Sequence, residues 1–487
     1  MRTPLLYVLP LVTALAACST APVGPNYQQP PEALASQPAA GKPFAQVDGH
    51  APFSAQPLPA HWWRLYHDAR LDALVQQALQ HNTDLRQAVA NLERVQALQT
   101  EIAGAQKPTL GVEGGPQYGH VSGISLLQEG YSPPNSVLYS AGAGLSYQLD
   151  LFGQIHRAIE AADAGSQAAQ AAVDLVRVNV AASTARAYAK VCASGLRIAA
   201  AQKSLGLQRE AVDVSERLQQ AGRAGLIDAA RARGQLQQLN ATLPPLQAER
   251  QGALYRLATL TGALPQDFPR DVASCTTPPQ VAGVLPVGDG AALLRRRPDI
   301  RQAERKLAEA TARIGVATAD LYPKISLGLS AASAGEWADR GHRDTLSWGI
   351  GPLISWSIPI NGAVHARIAQ AEASTRGALA QFDGTVLTAL RETETALDIY
   401  ARELDRHTAL QAARTENAAV AQQARKLYRN GKTSYLDSLD AERALASSEA
   451  ALAASEAQLA DEQVGVFLAL GGGWEPDDGP PSKIGTK

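Results

Sequence analysis

The sequence predicts a mainly α chain that also supplies four strands to a membrane β-barrel, and three observations carry that expectation. They are an internal duplication, two very long proline-free runs of helix formers, and four stretches in which apolar and polar residues alternate. Adding 209 to a position in the first half places Gly153, His156, Gly222, Asp228 and Gly262 on Gly362, His365, Gly431, Asp437 and Gly471 without a gap. Upstream the offset is 215, placing Asp84, Arg86 and Pro108 on Asp299, Arg301 and Pro323, so the first copy holds six extra residues between Pro108 and Gly153.

The elements follow in order. Residues 1–17 read as a signal peptide: Arg2, an apolar run from Leu5 to Ala17, then "LAAC" ending at Cys18. The run is shorter than the roughly 20 apolar residues of a membrane-spanning helix. Leu15-Ala16-Ala17-Cys18 resembles the bacterial lipobox, which implies an N-acyl and S-diacylglycerol lipid on Cys18, and Ser19 at the next position points to the outer membrane. Such a lipid anchors a chain without a transmembrane helix. Residues 18–60, rich in proline, alanine and glutamine, read as an extended tether between lipid and body.

The first repeat spans 61–262, with a β-hairpin at 109–150 and a long helical hairpin at 155–262. A proline-rich linker, 263–289, leads to the second repeat, 290–471, with its β-hairpin at 325–360 and helical hairpin at 363–471; 472–487 read as a disordered tail. The runs His156–Ala221 and His365–Asn430 are 66 residues each, about 100 Å as single helices at about 1.5 Å per residue. Helices of that length belong to coiled-coil or tubular assemblies. Abundant alanine with only 5% aromatic residues favours helices that approach closely. The returning helices differ at one place: Pro244-Pro245 stands where the second copy has Ala453-Ala454, and a prolyl pair breaks or kinks a helix.

The strands carry the clearest periodicity. From Val137 to Leu149 the odd positions are Val, Tyr, Ala, Ala, Leu, Tyr and Leu, and the even ones between Ser140 and Asp150 are small or polar. The offset carries the apolar face onto Leu346, Trp348, Ile350, Pro352, Ile354, Trp356 and Ile358. Segments near the 9–11 residues of a bilayer-spanning strand, with Tyr139, Tyr147, Trp348 and Trp356 as an interfacial aromatic girdle, favour a barrel over a soluble sheet packed on helices. Four strands cannot close a barrel, for which about eight is the minimum. An open edge in lipid costs several kcal/mol per orphaned backbone group, so the chain must oligomerise.

Each helical hairpin turns at a glycine. In the second copy Ser434 and Asp437 form an S-x-x-D start, with serine capping the helix and the aspartate reaching back; Asp228 holds the matching place after Gly225. Asp440 lies a turn deeper, on one face with Leu436 and Arg443, and its counterpart in the first copy is Arg231. Read alone, Asp440 and Arg443 are an exposed i,i+3 pair worth about 0.2–0.5 kcal/mol.

A balance of 44 basic against 46 acidic residues gives no charge argument for nucleic acid. His156 and His365 lack a second histidine or cysteine at i+3 or i+4, so no metal site is expected. Cys192 and Cys275 lie in an oxidising compartment where a disulfide is open to them, while their settings, one inside a long helix and one in a loop, favour separate thiols. No zinc-protease, nucleophile-elbow or nucleotide-binding motif occurs, so the chain is not expected to be an enzyme or to hold a cofactor.

The lipobox, the duplicated unit, and the segments "VGPNY", "WWRLYHDARLDALVQQALQHNTDLRQA" and "RRRPDIRQAERKLAEATARIGVATADLYP" together resemble the outer membrane efflux proteins, TolC-like and of the NodT type. The resemblance covers Cys18 to Gly473 and implies a homotrimer with a single barrel of twelve strands and a periplasmic α-helical tunnel. It implies an adaptor (membrane fusion) protein at the tip and an inner-membrane pump of the resistance-nodulation-division type. In such proteins the positions of Leu436, Asp440 and Arg443 narrow the closed tip, and Asp440 is expected to pair with Arg231 or Arg233 of a neighbouring hairpin.

The function implied is passive export of small amphipathic compounds. The alternatives are the outer component of a type I protein-secretion system and a structural coiled-coil lipoprotein without a pore. Met1 is the sole methionine, which argues against soft-metal export through thioether ligands.

Overall fold

A computed structural model describes residues 22–45, 52–122, 124, 129–223, 225–281 and 283–474; the signal peptide, Cys18 and residues 475–487 lie outside them. Helices α1 (Ala69–His81) and α2 (Thr83–Gly104) lead into strands β2 (Thr109–Gly119) and β3 (Ser136–Leu149), after a short β1 (Phe53–Ser54). Then come α3 (Gln154–Gln220), α4 (Leu226–Asn240) and α5 (Leu243–Leu260). The second repeat follows a short β4 (Leu285–Pro286). It comprises α6 (Gly290–Arg296), α7 (Pro298–Ala319), β5 (Lys324–Glu336), β6 (Leu346–Ser355), α8 (Ala363–Arg429) and α9 (Tyr435–Ala469).

The long helices α3 and α8 have 67 residues each and are separated by the 209-residue offset. The glycines that share this offset share a backbone conformation: Gly153 and Gly362 have φ of 73° and 74°, Gly222 and Gly431 of 68° and 67°. At the tips this left-handed residue ends the helix. Arg223 N–H donates to Leu218 O at 2.8 Å and Lys432 N–H to Leu427 O at 2.9 Å, the six-to-one bond that satisfies an orphan carbonyl.

Two compact units divide the chain. The first holds the four-stranded sheet, antiparallel throughout in the order β2-β3-β5-β6, with residues 22–29, 93–169 and 303–381. Its packing corrects one expectation: the start of the tether is not a free extended strand. The buried guanidinium of Arg157 donates to the carbonyls of Val23 (3.0 Å) and Gly24 (3.0 Å) and to Asn26 Oδ1 (2.7 Å), and Tyr27 OH donates to Glu304. Gly315 makes this fit possible, since a Cβ there would lie 2.7 Å from Arg157 Cγ. These polar anchors have no periodicity for a sequence pattern to reveal.

The second unit has the aromatic core. Trp62, Trp63, Tyr66 and Phe467 cluster with Tyr188, Leu257 and Leu285, and Trp62 stacks on Phe467 with centroids 4.7 Å apart. Residues 30–45 also lie against this unit, with Leu34 N–H donating to Asp383 and Phe44 buried. The expected tail begins in order too: Trp474 Nε1 donates to Arg296 O at 3.0 Å, and Arg301 stands 4.2 Å over its ring. Here the linker between the repeats is covalently fixed. Cys192 and Cys275 form a disulfide, Cα–Cα 4.7 Å, where separate thiols were expected. The two are 83 residues apart in sequence, and only the fold brings that loop back onto α3.

The Pro244-Pro245 pair acts as its chemistry dictates. Without two backbone donors the helix stops at Asn240 and restarts at Leu243 with the prolines in its first turn. In the second repeat α9 runs through the equivalent Ala453-Ala454 for 35 residues unbroken.

Candidate functional site

The sheet presents two chemically distinct faces, and strand register shows how. One row across the four strands is Leu110, Leu145, Leu329 and Ile350; the next on the same face is Val112, Ala143, Ala331 and Trp348. Between them on the opposite face lies Gly111, Gly144, Ser330 and Gly349, and beyond it Glu113, Gly142, Ala332 and Ser347. The apolar face is uncovered within the chain: Leu110 is 70% exposed, Val112 79% and Trp348 79%. Apolar bulk outward with glycine and serine inward suits lipid on one side and an aqueous lumen on the other.

Of the four expected girdle residues, Tyr139, Tyr147 and Trp348 lie on this apolar face. Tyr139 is bonded to Ser333 (2.8 Å) and sits edge-on to Trp337 (6.3 Å). Trp356 lies one residue past β6, which stops at Ser355, and its indole N–H donates to Leu321 O, two residues beyond the end of α7. Among the described residues the outermost strands β2 and β6 have one neighbour each, so both sheet edges are open for pairing.

At the opposite end of the long helices the second turn is built on Ser434. Its Oγ accepts from Asp437 N–H (3.2 Å), while Asp437 Oδ2 accepts from the Thr433 (2.6 Å) and Ser434 (2.7 Å) hydroxyls and from Ser434 N–H (3.2 Å). These donors hold the Asp437 carboxyl below the usual carboxylate range, the Thr433 hydroxyl contributing most. The first turn has no such cap. Gly225 occupies the N-cap of α4 without a side-chain acceptor, and Asp228 lies 4.0 Å from Arg231.

The two hairpins meet through Ala232, Tyr435 and Leu439, flanked by Val212 and Tyr428, with the two tyrosine rings 5.5 Å apart. Gln208 Nε2 donates to Ala232 O, and Arg443 Nε donates to Gln235 Oε1 at 2.8 Å. Within one chain these charged groups have nearby partners. Asp440 lies 3.9 Å from Arg443 on its own helix, Arg231 faces Asp228, and Arg233 bonds Glu216 at 2.9 Å. Each of these arginines thus has an acid one turn away or on α3; Arg443 reaches across to a glutamine, and a carboxylate bridges the hairpins further from the tip, where Glu449 on α9 accepts from Lys203 on α3 at 3.0 Å. Leu436 is 45% exposed. Glu442, half-buried and 3.8 Å from Arg425, has its carboxyl pushed up by desolvation, against the pull of Arg425 and Arg429.

Among the described residues no group of three or more metal-ligating side chains occurs, and no helix is long and apolar enough to cross a membrane. A barrel sheet with open edges, continuing into two 67-residue helices, defines a class: an outer membrane channel whose barrel is completed by further copies. The chain belongs to the outer membrane efflux protein family, whose model matches residues 74–263 and 291–472.

It is 30% identical to outer membrane protein OprJ of Pseudomonas aeruginosa over 98% of this chain and 97% of OprJ. To nodulation protein T of Rhizobium leguminosarum bv. trifolii it is 29% identical over 93% of this chain and 95% of that protein. The solved outer-membrane channel OprN superposes with a TM-score of 0.85 at 36% identity, over 93% of this chain and all of OprN. Members are trimeric channels, not enzymes, that work with adaptor and inner-membrane pump partners.

Proposed function

We propose that this chain is the exit duct of a tripartite efflux pump, a homotrimer conducting small amphipathic organic compounds passively from periplasm to exterior. The observation that carries the reading is the four-stranded sheet with an apolar outer face, a glycine- and serine-lined inner face and two open edges. Three such sheets give twelve strands, enough to close a lumen that side chains do not fill. Cys18 carries the N-acyl and S-diacylglycerol lipid, anchoring each chain in outer membrane lipid beside its strands. Export through the duct draws its energy from an inner-membrane pump of the resistance-nodulation-division type.

The tip is the gate. Leu436, Asp440 and Arg443 face the closing lumen, and around the trimer Asp440 alternates with Arg231 and Arg233 of neighbouring subunits until an adaptor displaces them. The partly exposed Leu436 and the weak 3.9 Å Asp440–Arg443 pair leave these groups available for such contacts. Single-copy complementation tests the reading. In a host deleted for its own exit duct, expression with the cognate adaptor and pump restores resistance to amphipathic drugs, and omission of the adaptor abolishes it. Restored secretion of a protein substrate without drug export would instead assign the chain to type I secretion.

A further inference from the structure

We propose that the Cys192–Cys275 disulfide closes the first helical hairpin at its base, and that the chain is a substrate of a periplasmic thiol–disulfide oxidoreductase on its way to the outer membrane. Cys192 is completely buried on α3 among Tyr188, Val191, Leu254 and Val272. Cys275 follows the one-turn helix Val272–Ser274, and its backbone rests on Gly195, where a Cβ would come within 2.0 Å of the Cys275 carbonyl oxygen. The surface of α3 is therefore shaped to receive this loop, and the bond is not a chance meeting of thiols.

What the disulfide encloses is the weak part of the repeat. The closed loop contains the tipward portion of α3, all of α4 and α5, and the gap at Ala241-Thr242 ahead of the proline pair. Beside that gap lies a cavity of about 310 Å³ lined by Ala200, Ser204, Leu239, Thr242, Pro245 and Ala450. Interrupted backbone bonding and missing side-chain contacts make this the easiest place for the hairpin to open. The second repeat has no gap, and it has Ala401 where the offset places Cys192. Covalent closure is present only in the repeat whose returning helix is broken.

A thiol with no exposure in the folded chain must be oxidised before the loop docks. The Cys192 and Cys275 thiols lose two protons and two electrons, one S–S bond forms, and the disulfide of the oxidoreductase, attacked through a mixed disulfide, becomes its dithiol. The bond does not depend on what the channel conducts.

The test uses full-length protein in isolated outer membranes, from a normal host and from one lacking its periplasmic dithiol oxidase. Mass spectrometry after alkylation without reductant should find Cys192 and Cys275 unmodified in the first preparation and alkylated, after denaturation, in the second. Thermolysin should cut between Leu239 and Leu246 about tenfold faster in Cys192→Ala/Cys275→Ala than in wild type, following the larger population of opened hairpin. Adding Pro244→Ala and Pro245→Ala to the cysteine-free chain should return the rate to that of wild type. If the cysteine-free chain fails to reach the outer membrane, recovery of insertion by the two alanines supports the proposal and continued failure overturns it. Alkylation of both cysteines in denatured protein from the normal host, or equal cutting with and without them, also overturns it.

Discussion

The two returning helices descend from one duplicated segment and are held in different ways. α9 begins on a reciprocal serine–aspartate cap and runs unbroken from Tyr435 to Ala469. Its counterpart begins on Gly225, breaks after Asn240, restarts at a proline pair, and is enclosed by a disulfide. The difference teaches that the duplicated fold resides in what the copies share: paired left-handed glycines and long runs of helix formers. The means of holding the second arm is free to diverge, helix chemistry serving in one copy and a covalent link in the other.

Moving the break across the repeats is the most damaging way to probe this contrast. Ala453→Pro with Ala454→Pro should cost about 3 kcal/mol or more per proline in the interior of α9, read as a lower thermal midpoint by circular dichroism. Removing the covalent link comes next. In the chain-entropy account a closed loop of 83 residues contributes about 4.5 kcal/mol, so Cys192→Ala/Cys275→Ala should lower the denaturant midpoint. Exchanging the caps is milder: Ser434→Ala should cost about 1 kcal/mol, with faster hydrogen exchange at the start of α9, while Gly225→Ser should gain a few tenths at most.

The smallest effects lie in pH dependence, where the two carboxyls at the second tip act with opposite sign. The Asp437 carboxyl is depressed in the fold, so its cap is complete above the unfolded value of about 3.9 and is lost as pH falls through the folded value. The Glu442 carboxyl is raised by burial, so its charged form costs stability at neutral pH. That cost disappears as pH falls through its folded value toward the unfolded value of about 4.3. Glu442→Gln should therefore stabilise the hairpin contact at pH 7, with the gain vanishing on mild acidification, measurable as the thermal midpoint against pH.

Much of this architecture is legible in the sequence because it rests on periodicity and on glycine and proline. Alternation over residues 137–149 reads directly as β3, and Pro244-Pro245 reads as a broken helix. Contacts that depend on polar groups far apart in the chain leave no periodic trace. The Arg157 clamp on Val23, Gly24 and Asn26, the Cys192–Cys275 bond and the Arg443–Gln235 bridge belong to that kind. At the tip, Ser434 and Asp437 are readable because a cap is local. The Asp440–Arg443 pair is readable for the same reason, three residues apart on one helix.

Single-channel recording of the purified protein in planar bilayers tests the central claim most directly. A gated duct predicts discrete, infrequent conductance steps in the wild type, and larger or longer openings in Asp440→Ala and Arg231→Ala, where the acid–base contacts at the tip are removed. A bilayer that stays silent with all three proteins, each folded and inserted, would contradict the assignment of this chain as a channel.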